Sequence, residues 1–441
     1  SEPWFKVDSK YLSNLKLRAS YGSLGNGNVN PYSYNETFST SSGRLIGGAI
    51  VKYTSAPSPI PNGLTWETAR LANLGIDFGV FNNHLNITAD VYQRKTVNMY
   101  TVGPTLPDVY GANSPKGNYA DMTTKGYEIS VTWDHSFNLA NKPFHYNIRA
   151  TLADYQSTID KYNNSTYSLG TSNSPNYYEG MKIGEIWGFT SYGLWQSDAD
   201  INAAEASAKA AGQSYYNPLM QTDQYYKLYK GDIKFEDLNG NGYIDRGANT
   251  VKDPGDRRII GNSEPRYIYS FNLGADWNNI FFSAFFRGVG KQDWYPAGES
   301  SFFWGQYNRP YNQVPKWQLG NYWTEDNTDA YLPRYTGYYA PFFGGSNNAN
   351  TRYLQNVAYL RLQNLQIGYN LPVSLIRKVG LKKMSIFLSG ENLLTWSPLY
   401  KHTKDVDVTN IYGNDVDAST SGDGYNYPTM KSYSVGLNIT F

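Results

Sequence analysis

A chain of 441 residues with a net charge of +1 and no basic block offers no surface for nucleic acid, and zero cysteines remove disulfides, thiolate catalysis and zinc–thiolate sites together. A mean hydropathy of −0.56 and no apolar run of spanning length exclude a helical membrane protein. A soluble chain this long would divide into domains, yet no linker divides it.

In chain order, Leu15–Tyr21 alternates Leu15, Leu17, Ala19 and Tyr21 against Lys16, Arg18 and Ser20, the period of two that defines a strand. Residues 22–67, rich in Gly, Asn, Ser and Pro, read as loop. Strands follow at about 69–81 and 84–95, with Asn82-Asn83 as a two-residue hairpin because asparagine tolerates positive φ. A loop over 97–122 precedes strands near 126–134 and 144–154, joined by a modest turn through Asn138 and Lys142. An excursion over 155–264 comes next, with extramembrane β-structure at 183–195 and a short Ala/Glu/Lys-rich helix over 199–211. Strands 266–277 and 280–288 flank the tight turn Asn278-Asn279. A loop to about 356, strands 357–371 and 383–396, and a loop over 397–429 lead to the closing strand, Lys431–Phe441. Between Leu362 and Leu365 the apolar phase slips, which predicts a bulge near Gln363.

Each strand offers roughly the 9–11 residues that cross a bilayer at a tilt. The connections alternate strictly, one short and then one long. In an antiparallel meander that places every long loop at the same end, which is the plan of transmembrane barrels and not of sandwiches or jelly rolls. The fold class predicted is therefore all-β, a transmembrane antiparallel β-barrel with long extracellular loops and short periplasmic turns. The aromatic content of 16% fits interfacial girdles, although a glycan-binding β-protein would share it. Ser1-Glu-Pro-Trp begins no secretory signal, so an N-terminal part is expected outside this chain.

Asp237-Leu-Asn-Gly-Asn-Gly-Tyr-Ile-Asp245 matches the first nine positions of a Ca²⁺ loop. Oxygens of Asp237, Asn239, Asn241 and Asp245 and the Tyr243 carbonyl would converge on a structural Ca²⁺, with Gly242 at the sharp turn. Ala248 stands where the bidentate Glu belongs, and Asp253 or Asp256 would supply that carboxylate. A plain Asn/Gly turn is the competing reading. His84, His135, His145 and His402 lie in no metal or triad spacing, Gly22–Gly27 is only a loose glycine loop, and no enzyme is predicted. Loop aromatics, among them Phe302–Trp304, Trp317, Trp323, Tyr335–Phe343 with Tyr338, and Tyr177-Tyr178, suit sugar stacking or peptide contact, and equally loop–loop packing.

Leu15–Gly22, Leu64–Glu67, Asn73–Phe78, Thr124–Glu128, Gly231–Asp237 with its Ca²⁺-like loop, Ile259–Asn262, Leu388–Leu393 and Tyr427–Met430 before Phe441 occur in an order that resembles SusC/RagA-type TonB-dependent outer-membrane transporters, over the C-terminal half of the barrel. The resemblance implies residues 1–441 as part of a barrel of about 22 strands, with the plug and TonB-contacting segment not in this chain. It also implies the outer membrane of a Gram-negative bacterium, a SusD-like surface lipoprotein as partner, the TonB complex as energy source, and import of an oligosaccharide or oligopeptide. A self-contained passive porin or adhesin barrel, and a secreted glycan-binding β-protein, are the alternatives.

Overall fold

The computed structural model describes residues 10–27, 35–36, 38–55, 57, 59–60, 63–103, 109, 111, 114–170, 176–215, 227–296, 300–342, 348–411 and 427–441. Ten strands form one antiparallel sheet in sequence order. They are β1 (Asn14–Asn26), β2 (Glu67–Val80), β3 (Leu85–Val102), β4 (Lys116–Leu139), β5 (Lys142–Lys161), β6 (Arg266–Trp277), β7 (Ile280–Lys291), β8 (Tyr359–Asn370), β9 (Lys383–Trp396) and β10 (Ser432–Thr440). All ten predicted strands are present, and short and long connections alternate as expected. No helix among the described residues is long and apolar enough to cross a membrane.

Register shows why the sheet has two unlike faces. Leu15, Phe78, Ile87, Val131, Ala150, Phe271, Phe286, Leu362 and Leu394 are successive cross-strand neighbours from β1 to β9. That row is apolar throughout. One residue along, Lys16, Asp77, Thr88, Ser130, Thr151, Ser270, Arg287, Arg361 and Thr395 form a wholly polar row on the opposite face. The apolar face is the lipid face of a barrel, and the polar face lines its lumen. At the tight-turn end the outer face carries Phe81, Trp133, His135, Phe137, Phe144 and Tyr146 in ring contact, as a girdle at the periplasmic interface requires.

The predicted bulge lies at Gln363, which both neighbouring strands skip in register. Its effect is to keep Leu360, Leu362, Leu365 and Ile367 on one face despite the slip in the sequence. The turns differ in detail from expectation. Asn278-Asn279 is a two-residue turn with both φ positive, 47° and 70°. Ala140-Asn141 is another, tighter than the predicted connection. Asn82-Asn83 instead sits inside a four-residue turn, because pairing stops at Val80–Leu85 and Phe81 also adopts positive φ.

Three expectations are corrected. Half of the loop predicted over 97–122 is strand, since β3 continues to Val102 and β4 begins at Lys116. The excursion starts after Lys161 rather than at 155, and strands of up to 24 residues exceed the expected crossing length. Outside the bilayer nothing imposes apolar–polar alternation, so the backbone ladder continues where the pattern stops. The loop predicted over 22–67 contains a hairpin, Ser39–Ile46 with Ala49–Ser55, turned by Gly47-Gly48.

Several glycines lie directly opposite an aromatic ring that occupies the space of the missing side chain. A Cβ on Gly436 would fall 2.1 Å from Phe387 Cζ, and one on Gly368 would fall 2.2 Å from Phe281 Cζ. Gly436→Val should therefore destabilise the closing strand by about 1–3 kcal/mol through overpacking. The drop should appear as a lower temperature for loss of heat-modifiable gel mobility, and Phe387→Ala in the same chain should recover most of it.

Candidate functional site

Most of the buried core of the described residues lies in the long loops, with a few residues such as Val289 and Tyr359 contributed by the spanning strands. Phe189, Trp195, Phe235, Trp294, Phe303, Trp304, Tyr307, Trp323, Tyr353 and Leu399 form one cluster drawn from three connections far apart in sequence. The excursion contributes two small β-pairs, Glu185–Phe189 with Arg257–Asn262 and Ser191–Leu194 with Ile233–Phe235, and helix α1 (Asp198–Ala210). The extramembrane β-structure and helix expected there are thus present. Ser197 caps α1 by accepting the Asp200 N–H at 3.1 Å.

Polar ties join the loops into one layer. Phe189 N–H donates to Ala349 O at 2.9 Å. Arg334 Nε reaches the fully buried Asp232 Oδ1 at 2.7 Å, and the Trp323 indole N–H donates to Gln196 Oε1 at 3.2 Å. His402 stacks on Tyr331 at 4.4 Å and 10°, joining the 292–358 loop to the last one. Burial, with Lys401 nearby, holds the His402 imidazole below its ordinary value, so the stack is neutral.

The loop aromatics divide by exposure. Trp304 is fully buried with its N–H on Pro296 O at 3.0 Å. Trp323 is buried as well, so both are packing residues of the layer. Trp317 is half-buried against Phe303, Tyr331 and His402. Among the described residues its indole N–H has no hydrogen-bond acceptor. Tyr338 is partly exposed, with the Arg309 guanidinium 5.4 Å from its ring. Tyr178 is buried and Tyr177 exposed. Phe343 lies outside the described residues.

The Asp237–Asp245 loop is held by its own amides. The Asp237 carboxylate accepts the N–H groups of Gly240, Asn241 and Gly242, at 2.7, 3.2 and 2.8 Å. Asn239 and Asn241 side-chain oxygens accept the N–H groups of Asn241 and Tyr243. Gly242 takes φ +89°, with α1 against it through Ser207. Asp256, fully buried beneath the loop, accepts from Leu238, Asn239 and Asp245. Burial nevertheless raises its pKa, the amides offsetting only part of that cost. Asp253 accepts the Ala248 N–H, and the Asn241 amide turns its nitrogen to Asp245 Oδ2 at 2.7 Å. Among the described residues no three His, Cys, Asp or Glu side chains converge as a metal-binding group. The oxygen-only donor set suits a hard cation, with Asn241 presenting its oxygen after a half-turn of the amide.

Two ion clusters had no sequence signature. On the lumen face Arg18 donates to Asp77 at 3.0 Å and to Asp90 at 2.8 Å, directly over Gly75, where a Cβ would lie 2.3 Å from Asp90 Oδ1. Arg361, also on that face, donates through Nη2 to Asp407 at 2.7 Å.

A membrane-crossing antiparallel meander, with its long connections at one end and three of them gathered into one packed layer, defines a large β-barrel transporter or pore. The comparisons narrow this class. The chain is 27% identical over 99% of its length to TonB-dependent receptor P3 of Formosa agariphila, and 26% identical over 64% of its length to TonB-dependent receptor SusC of Bacteroides thetaiotaomicron. It superposes with a TM-score of 0.67 on a chain of the RagAB peptide importer in its open-open state, at 22% identity over 98% of its length and 41% of that chain. No family profile matches. These matches bear out the resemblance to SusC/RagA-type TonB-dependent transporters read from the sequence, and the chain spans about two-fifths of the length of the first relatives it matches.

Proposed function

We propose that this chain is the C-terminal barrel part of a SusC-like importer in the outer membrane of a Gram-negative bacterium. It would take up oligosaccharides or oligopeptides with a SusD-like lipoprotein as lid and the TonB complex as energy source. The observation that carries the reading is the ten-strand meander with every long connection on one side, under a loop layer solid enough to support a lid. Its relatives named as TonB-dependent receptors add to it. Among the described residues β1 pairs only with β2 and β10 pairs only with β9, which suits an arc completed by further strands. The reading assigns the chain no catalytic step. Of the predicted loop aromatics, Tyr177, Phe302, Tyr335 and Tyr338 are exposed and Trp317 half-buried, so these are the ones still placed to meet a ligand.

Denaturing mass spectrometry of the detergent-extracted complex tests this. A larger parent chain or an associated N-terminal piece, together with a lipidated partner, is the expected result. A lone chain of 49.7 kDa would mean a self-contained porin or adhesin barrel, and extraction without detergent would mean a secreted β-protein.

The proposal includes a structural Ca²⁺ held by Asp237, Asn239, Asn241, the Tyr243 carbonyl and Asp245, with Asp256 bracing the loop from beneath. Chelation should then speed protease cleavage within 227–264 severalfold, and Asp237→Ala should do so irrespective of chelator while leaving the barrel inserted. Equal cleavage of the wild type with Ca²⁺ and with chelator would leave only an amide-closed turn.

A further inference from the structure

The outward faces of β2, β3 and β4 carry a basic cluster immediately above the apolar band. Arg70 and Lys95 are directly opposite in register, and Lys125 lies one pleat below, opposite Gln93. All three share the face of Leu74, Val91 and Tyr127, the next apolar row toward the membrane. Leu74 and Val91 are 58% and 54% exposed, as lipid-facing residues are. Like charges directly opposite across a strand pair destabilise it unless an anion lies between them. The acidic groups near this face do little to neutralise the three. Asp160 accepts the Thr123 hydroxyl at 2.5 Å and stands 4.0 Å from Lys95. Asp154 is taken up by Arg266, and Asp121 accepts the Asn98 N–H. Arg70 and Lys125 make no ion pair among the described residues.

The long-loop end of the sheet is the extracellular end, so this cluster stands at the level of the outer leaflet's headgroups. Below it lies a surface for acyl chains, and at its own level are two further polar side chains, Gln93 and Gln156, opposite or beside Lys125. We propose that Arg70, Lys95 and Lys125 bind the phosphate of an anionic lipid headgroup in the outer leaflet. The inference rests on the membrane orientation proposed above. A lipid rather than a free anion is favoured because charge and apolar surface are continuous, so a headgroup on the cluster lays its chains along Leu74 and Val91.

The test is native mass spectrometry of the full transporter in detergent, titrated with diphosphoryl lipid A, with dephosphorylated lipid A and with inorganic phosphate. Diphosphoryl lipid A should form a one-to-one adduct. Arg70→Gln, Lys95→Gln and Lys125→Gln together should weaken that adduct by on the order of a hundredfold, given what each basic residue contributes near an anionic surface. The charge-conserving triple Arg70→Lys, Lys95→Arg, Lys125→Arg should retain it. An unweakened adduct in the glutamine triple, equal binding of the dephosphorylated lipid, or displacement by millimolar phosphate would each overturn the proposal. A wild-type protein recovered from the soluble fraction would instead overturn the membrane reading, and fractionation before the titration separates the two failures.

Discussion

Trp304→Ala is expected to unravel the extracellular layer while leaving the barrel inserted. Trp304 is fully buried, meets Phe303 edge-on at 5.0 Å and Tyr353 at 5.1 Å, and gives its indole N–H to Pro296 O. Truncating a buried tryptophan costs about 3–5 kcal/mol through lost burial and the cavity left behind. The Pro296 carbonyl would lose its donor as well, a further penalty if water cannot reach it. None of these partners lies on the lipid-facing rows, so strand pairing and membrane insertion should be unaffected.

Limited proteolysis is the measurement. Cleavage within 300–342 should accelerate strongly in Trp304→Ala, while heat-modifiable mobility of the barrel stays as in the wild type. Tyr311→Ala is the control, because Tyr311 is 78% exposed and its loss should stay within about 0.5 kcal/mol. A variant that kept a rigid loop but lost ligand binding would make Trp304 a ligand residue after all. Loss of membrane insertion would show that the layer and the barrel fold as one unit.

The contrast between Trp304 and Leu17 explains what the sequence made legible. Leu17 sits in a strand whose alternation is imposed by lipid on one side and water on the other, so its face and element could be read directly. The same physics placed Gln363, because a bulge is the only local way to return Leu360 and Leu365 to one side. Trp304 owes its burial to Tyr353, 49 residues away in sequence by difference of numbers, and to a loop layer with no period at all. A tryptophan in such a loop reads the same whether it packs inward or stacks on a sugar. Arg18 with Asp77 and Asp90, and Arg334 with Asp232, were invisible for a related reason, since their partners meet only through register or loop packing. The hairpin turned by Gly47-Gly48 did carry a signal, two glycines between apolar residues, which the surrounding Ser- and Asn-rich composition masked.

Asp407→Ala should release the last loop from the barrel wall, and the protein should show the same release in acid. Arg361 and Asp407 are a buried pair, with side chains 10% and 5% exposed and Nη2 2.7 Å from Oδ1. Arg361 also donates to Thr395 Oγ1, and its register neighbour on β7 is Arg287, a second positive charge. Removing the carboxylate strands Arg361 in a site closed to water, which costs on the order of 3–5 kcal/mol. Asp407 holds more than its arginine. It accepts the N–H of Thr409 at 3.0 Å and that of Thr429 at 2.8 Å, so it pins the loop to the residues that lead into β10. Burial by itself raises the Asp407 pKa, but the Thr429 and Thr409 amides and hydroxyls outweigh it and the value falls below the ordinary carboxylate range. A group whose pKa is lower folded than unfolded stabilises fully above its unfolded value, about 3.9, and loses that contribution as pH falls through the folded value. Hydrogen exchange across 399–411 should therefore be slow from neutrality down to about pH 4 and rise only below it. Asp407→Asn should exchange faster than the wild type at pH 7 and show no such acid step of its own. Pairing Asp407→Ala with Arg361→Met, which removes both charges, should recover much of the lost protection, because it is the uncompensated charge that costs most. A double variant as labile as Asp407→Ala alone would place the stabilisation in the threonine amides, and the ion pair would then be incidental to closing the loop.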